Sequence, residues 1–313
     1  LNTSEGSIGG VVMVRFFLFV CFYFLALSSF LGVAGAQDLS QVKQEIVQLS
    51  DTVYLIVPNP PYGGNLAVSV GDDGILLVDD QMMPMTPGIR EAIASLQEGR
   101  VEYLINTHYH YDHAGGNEAF GKDSVIVAQH NVHMRLAEGR EAGARFIEGE
   151  RPVEALPDIT FESDMRFYWN GEAVDVIHFP NNSHTDGDSV VYFRDSNVVH
   201  TGDQYVNLNG FPYIDRDVGG SAIGLRDNIG ALLDLIDDET KIIPGHGPLA
   251  TKADLKAFHS IVSDSISVVQ AFKEQGKSLD EIQQAGLPKK FEGVVGFMPA
   301  GLWIQFVFDS LDD

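Results

Sequence analysis

Residues 108–113 read His108-Tyr109-His110-Tyr111-Asp112-His113, which places three imidazoles and a carboxylate within six positions. Neutral imidazole nitrogens and carboxylate oxygens are ligands for zinc and similar divalent metals. The hexapeptide follows an apolar, β-prone run, Val101-Glu102-Tyr103-Leu104-Ile105-Asn106, and precedes Ala114-Gly115-Gly116. It is expected on a tight loop at the end of a buried strand. In such a loop His108 and His110 can converge on one cation while Asp112 and His113 turn toward a second. A solvated histidine-rich loop does not explain so specific a spacing in a chain with only 10 histidines.

Further candidate ligands lie downstream. His184 sits in Asn181-Asn182-Ser183-His184-Thr185-Asp186-Gly187-Asp188, Asp203 in His200-Thr201-Gly202-Asp203, and His246 in Pro244-Gly245-His246-Gly247. Each follows an apolar run that reads as a strand, and loops held by a rigid sheet are where functional side chains are mounted. Together with residues 108–113 they supply enough ligands for two metals with open positions. His130, His133, His178, His200 and His259 fall in predicted helices or strands and are expected to be packed or surface residues.

The elements that must carry these residues follow from apolar periodicity and turn residues. Strands are expected over 52–57, 65–70, 74–80, 101–106 and 124–128, then near 159 and over 165–169, 173–179, 189–193, 198–201 and 241–243. Helices are expected over 89–96, through Val132 and Leu136, and over 223–236. Thr251-x-x-Asp254 and Ser278-x-x-Glu281 are capping boxes that open two more, and residues 302–311 close the chain. Strands followed by helices in each half, without strict βαβ alternation, predict an α/β fold of four layers, an α/β/β/α sandwich. Glu138–Arg151, the most polar stretch, is expected to be a surface loop or a frayed helix end.

At the N-terminus, Met13-Val14-Arg15 is followed by an apolar run from Phe16 to Val33 and by Ala34-Gly35-Ala36. This is the pattern of a secretory signal peptide cleaved after Ala36. The residues before Met13 read as upstream sequence, and a retained membrane anchor is the alternative. The expectation is that residues 1–36 are removed and 37–313 form a single domain with C-terminal helices, periplasmic or secreted and without stable membrane association. The only cysteine, Cys21, lies in the apolar run, so neither disulfides nor thiolate ligands are available beyond it. A net charge of −24 argues against nucleic acid as a partner and leaves a small molecule as the expected substrate.

This pattern resembles the metallo-β-lactamase superfamily, from about Val53 to His246 and into the helices beyond. The ordered signature is a strand-end Asp, then His-x-His-x-Asp-His, then a lone His, a lone Asp and a lone His. By that resemblance His108, His110 and His184 hold one metal, and Asp112, His113 and His246 hold the other. Asp203 bridges the two, and Asp79 steadies the site from behind. Two divalent metals are implied, zinc before iron or manganese, sharing a water whose pKa falls toward roughly 7. Asp112 would orient that nucleophile and take its proton.

The substrate is read from departures within the resemblance. β-Lactamases of the three-His/Asp-Cys-His type carry Cys where this chain has Asp203, and often a Lys where it has Val206. The Asp resembles the glyoxalase, lactonase, phosphodiesterase and arylsulfatase branches, so hydrolysis of an ester, thioester, lactone or phospho-ester is expected. A class B β-lactamase is one alternative. A di-iron redox member is another, although those carry an appended flavin-binding domain that the residues after His246 are not expected to contain. Tyr62, in the turn-rich Pro58–Gly64, and Tyr205 and Asn209, in the segment after Asp203, are the expected substrate contacts. Arg216 and Arg226 are expected in surface salt bridges.

Overall fold

Short strands with apolar residues on both faces can be buried only between two other layers, and the computed structural model shows this arrangement. It describes residues 38–139, 151–294, 296 and 298–312. The expected signal peptide and positions 140–150 of the polar stretch lie outside the described residues.

One sheet contains β1 (Lys43–Gln48), β2 (Val53–Asn59), β3 (Leu66–Gly71), β4 (Gly74–Val78), β5 (Val101–Asn106), β6 (Val125–Gln129) and β7 (Ile159–Phe161), in that order. Its first four strands are antiparallel, and β4 to β7 run parallel. The second sheet contains β8 (Asp164–Trp169), β9 (Glu172–Ile177), β10 (Val190–Phe193), β11 (Val198–His200), β12 (Lys241–Ile243) and β13 (Ala250–Thr251), ordered from β8 at one edge to β13 at the other. The helices are α1 (Thr86–Leu96), α2 (Tyr111–Ala114), α3 (Asn117–Phe120), α4 (His130–Glu138), α5 (Ala222–Leu235), α6 (Lys252–Glu274), α7 (Leu279–Ala285) and α8 (Ala300–Ser310). Both anticipated capping boxes are formed, Thr251 with Asp254 and Ser278 with Glu281.

The alternation of side chains along each strand sorts the core into layers. In β4, Leu76 and Val78 join β9, β10 and β11 between the sheets, while Ile75 and Leu77 pack with Ile89 and Ile93 of α1. In β10, Val191 and Phe193 face the first sheet, whereas Val190 and Tyr192 lie under Leu225, Ile229 and Val262 of α5 and α6. The result is the expected α/β/β/α sandwich. β1 is a departure: its sequence, Lys-Gln-Glu-Ile-Val-Gln, has little apolar patterning, and its place comes from edge pairing to β2. β13 likewise owes its place to pairing with β12, and the hexapeptide, expected as a loop, passes into a short helix at Tyr111, followed by a second at Asn117.

Five connections bear on the site. Asp79 follows β4, the hexapeptide follows β5, His184 lies between β9 and β10, Asp203 follows β11, and His246 follows β12.

Candidate metal centre

The backbone at these strand ends is shaped to bring side chains inward. Asp79 has φ +60°, a left-handed conformation that is costly for a residue with a side chain. Its carboxylate is what the site uses: Oδ1 accepts the Thr107 N–H at 2.7 Å, and Oδ2 accepts the Thr107 hydroxyl and His113 Nδ1, both at 2.8 Å. Two glycines allow close approach. A Cβ at Gly245 would overlap Asp203 Oδ1, and one at Gly64 would overlap the His113 ring. Gly64 N donates to the Asp112 carbonyl at 3.0 Å, and Asn65 N to the Gly245 carbonyl at 2.8 Å, which joins the loop after β2 to both sides of the site.

The structure gathers all seven expected ligands. The ring nitrogens of His108, His110 and His184 lie within 4.8 Å of one another, as do the ligand atoms of Asp112, His113 and His246. Asp203 stands between the groups. Its Oδ1 is 3.2 Å from His113 Nε2 and 3.5 Å from His246 Nε2, while Oδ2 is 3.7 Å from His184 Nε2. Asp112 Oδ2 is 3.1 Å from His246 Nε2.

Whether these residues fit a metal is decided by where the ring protons sit. His184 Nδ1 faces the Tyr213 carbonyl at 2.8 Å, and His113 Nδ1 faces the Asp79 carboxylate. His110 Nε2 faces the Asp215 carboxylate at 3.0 Å. His108 Nδ1 is 3.1 Å from the Thr107 hydroxyl, whose own proton goes to Asp79. Each acceptor has no proton to give, so each imidazole carries a proton on the outer nitrogen and, in its neutral form, turns a lone pair inward. His184 Nε2 and His110 Nδ1 oppose one another at 2.8 Å, and His113 Nε2 and His246 Nε2 meet at 3.2 Å. His108 Nε2 is buried without a hydrogen-bond partner. Inward lone pairs with outward N–H groups held by acceptors are the pattern of metal-bound histidines, and the donor set suits divalent cations.

The electrostatics differ between the groups. Burial pushes His108 and His184 below the ordinary imidazole range, aided by neighbouring imidazoles. Burial acts the same way on His246, but the Asp203 and Asp112 carboxylates outweigh it and raise it to about 9. His113 is also raised, burial being overcome by Asp203 and Asp112. Burial would raise Asp112, yet the His113 and His246 imidazoles hold it down to about 2. Asp203 is held low in the same way, by His246 and His113 against burial.

The expected substrate contacts fare less well. Tyr62 is 40% exposed in the loop after β2. Tyr205 is corrected: it is a core residue, 2% exposed, with its ring 5.0 Å from that of Phe258. The aromatic character that suggested substrate contact serves packing. Asn209 is exposed, and its amide donates to the Gly293 carbonyl at 2.9 Å. Arg226 pairs with Asp227 as expected, while Arg216 reaches the Gly220 carbonyl and Ser310. Sequence reasoning missed Thr107, Asp215, Gly64 and Gly245. Thr107 adjoins the motif and could have been suspected, but no local signal marks the others.

A family model described as the metallo-beta-lactamase superfamily matches residues 59–246, the span from the loop before the site to its last histidine. The chain belongs to the metallo-beta-lactamase superfamily. This superfamily member is 28% identical over 181 residues to a probable hydroxyacylglutathione hydrolase of Schizosaccharomyces pombe, covering 56% of this chain and 59% of that protein. It is 27% identical over 110 residues to a hydroxyacylglutathione hydrolase of Pelagibacter ubique, covering 34% and 38%. It thus spans well under two thirds of the length of these relatives. Among solved structures it is similar to a metallo-beta-lactamase from Pontibacter korlensis, with TM-score 0.57, 20% identity, and coverage of 71% of this chain and 99% of that one. It is also similar to a stereoselective inverting sec-alkylsulfatase from Pseudomonas sp., with TM-score 0.65, 15% identity, and coverage of 85% and 50%. At these identities the likeness is one of fold.

Proposed function

We propose that this protein is a binuclear metal-dependent hydrolase acting on an ester-type bond in a small molecule, a thioester foremost. The observation that carries the reading is Asp203, whose two oxygens face two separate ligand groups. The hydroxyacylglutathione hydrolases among its relatives favour a thioester, and an aspartate at the bridging position separates the chain from the Cys-ligand β-lactamases. His108, His110 and His184 would hold one ion, and Asp112, His113 and His246 the other, with Asp203 shared. Bound divalent ions supply Lewis acidity and make water acidic enough to act as a nucleophile near neutral pH.

The chain's own residues do the rest. Asp112, held ionised by His113 and His246, orients the attacking water and accepts its proton at Oδ2. The water oxygen bonds to the acyl carbon, the bond to the leaving sulfur or oxygen breaks, and the leaving group takes a proton. Asp79 holds His113 directly and His108 through Thr107, so one carboxylate orients a ligand in each group. Tyr62 would contact the substrate, a reading supported by its exposure on a loop tied to Asp112 through Gly64.

We also propose that residues 1–36 are a cleaved export signal, supported by the apolar run and the Ala34-Gly35-Ala36 site. The N-terminal sequence of the mature protein from its native host tests this, with Gln37 the expected first residue.

The activity test is a hydrolysis screen of the zinc-loaded protein against an acyl thioester, a lactone, a phosphodiester, a sulfate ester and a chromogenic cephalosporin, with metal content measured alongside. Two ions per chain and fastest turnover of the thioester are expected. Cephalosporin turnover far above the others would overturn the substrate reading, and two irons with no hydrolysis would overturn the reaction class.

A further inference from the structure

Asp215 carries no motif, yet its side chain is 7% exposed and reaches the heart of the first ligand group. Its Oδ2 accepts from His110 Nε2 at 3.0 Å and from the Tyr109 hydroxyl. Its backbone N–H donates to the His184 carbonyl at 2.8 Å, and its carbonyl accepts from Gly220 N at 2.9 Å. Two residues earlier, the Tyr213 carbonyl accepts from His184 Nδ1. A single turn, residues 213–220, thus supplies the outer partners of two histidines in one ligand group.

A carboxylate can only accept, so His110 must carry a ring proton on Nε2, and its neutral form is then the tautomer with Nδ1 bare. That bare nitrogen is the one facing His184 Nε2. We propose that Asp215 is the positioning residue of the first metal site: it fixes the tautomer and ring orientation of His110, and Tyr109 holds it in place by donating to the same oxygen. The competing role is a structural tie between the 213–220 turn and the hexapeptide loop. The two roles differ chemically, because a tie survives replacement of the carboxylate by an amide of the same shape. Tautomer control does not: an amide lacks the charge that favours the Nε2–H form, and its NH2 group can donate to Nε2 and move the proton to Nδ1. Outer partners of this kind are worth 10–100-fold in metal affinity.

This inference rests on the metal-centre reading above, and its test separates the two. Long-range proton–nitrogen correlation spectra of the wild-type protein report which nitrogen of His110 bears the proton, and Nε2 is expected. Competition titrations with a chromophoric chelator should show two ions in the wild type. In Asp215→Asn one site should weaken by about 10–100-fold while the other keeps its affinity, and the cobalt-substituted spectrum should change. Tyr109→Phe should give the same selective loss, smaller in size. A wild-type protein that takes up no metal overturns the hydrolase reading and this inference with it. Two ions in the wild type, with Asp215→Asn retaining both at parental affinity and an unchanged cobalt spectrum, overturns only the role of Asp215. A wild-type His110 protonated on Nδ1 does the same, and that measurement stands even where the amide variant does not fold.

Discussion

The two ligand groups solve the same problem by different means. In the first, His108, His110 and His184, burial keeps His108 and His184 below the usual imidazole range, and ring protons are held outward by Thr107, Asp215 and the Tyr213 carbonyl. The second, Asp112, His113 and His246, is a charge-balanced cluster with Asp203, in which carboxylates are held low and imidazoles high. The first group depends on acceptors gathered from distant parts of the chain. The second depends on close mutual pairing and on glycines that allow it. A metal entering the first group meets lone pairs on His108 and His184; a metal entering the second must displace protons.

Removing the residue common to both groups should have the largest effect. Asp203→Ala is expected to lose one metal per chain, and to lower hydrolysis by more than the ~100-fold that outer partners cost. Unchanged metal content and rate in that variant would dissolve the distinction between two groups joined by a bridge. Gly245→Ala comes next, because its Cβ would press on Asp203 Oδ1; overpacking of this kind costs about 1–3 kcal/mol. A thermal melt should show that loss, and metal titration should show the second group weakened more than the first. Asp79→Asn should weaken both groups by up to about 10–100-fold, the second more, because His113 contacts Asp79 directly and His108 only through Thr107. Equal losses at both sites would remove the asymmetry.

The legible part of the site was the part whose chemistry is local. His108, His110, Asp112 and His113 lie within six residues, and His184, Asp203 and His246 each lie in a connection after an apolar strand, so residue type, strand pattern and the family resemblance pointed to them. Asp79 was reached through the family resemblance, whose signature opens on an Asp at the end of a strand. Asp215 was not, because nothing between Phe211 and Gly220 distinguishes a buried acceptor from an ordinary loop aspartate. Its role exists only once Tyr109 and His110 arrive from more than a hundred residues away. Tyr205 went the other way, since aromatic residues near a site pack as often as they bind. In the fold, β4, β5 and β10 announced themselves by apolar runs, whereas β1 is polar enough to look like a loop and is ordered by pairing with β2.

The smallest effect is also the one that tests the comparison most directly, through protons. In the metal-free protein His246 is raised to about 9 and His113 is raised as well, so at neutral pH both carry protons that a metal must displace. The sign follows: affinity of the second group should climb as pH rises toward about 9, about tenfold per pH unit for each proton displaced. His108 and His184 are lowered, so they are already neutral at pH 7 and should release no proton to a metal, which leaves the first group with the smaller proton release. Calorimetric titration with zinc at pH 7, repeated in buffers of different ionisation heats, measures this directly. Two binding events are expected, one with a heat that depends weakly on the buffer and one with a heat that depends on it strongly. Two events with equal proton release would mean that the carboxylates of Asp112 and Asp203 do not set the second group apart, and the contrast between the sites would then rest on geometry alone.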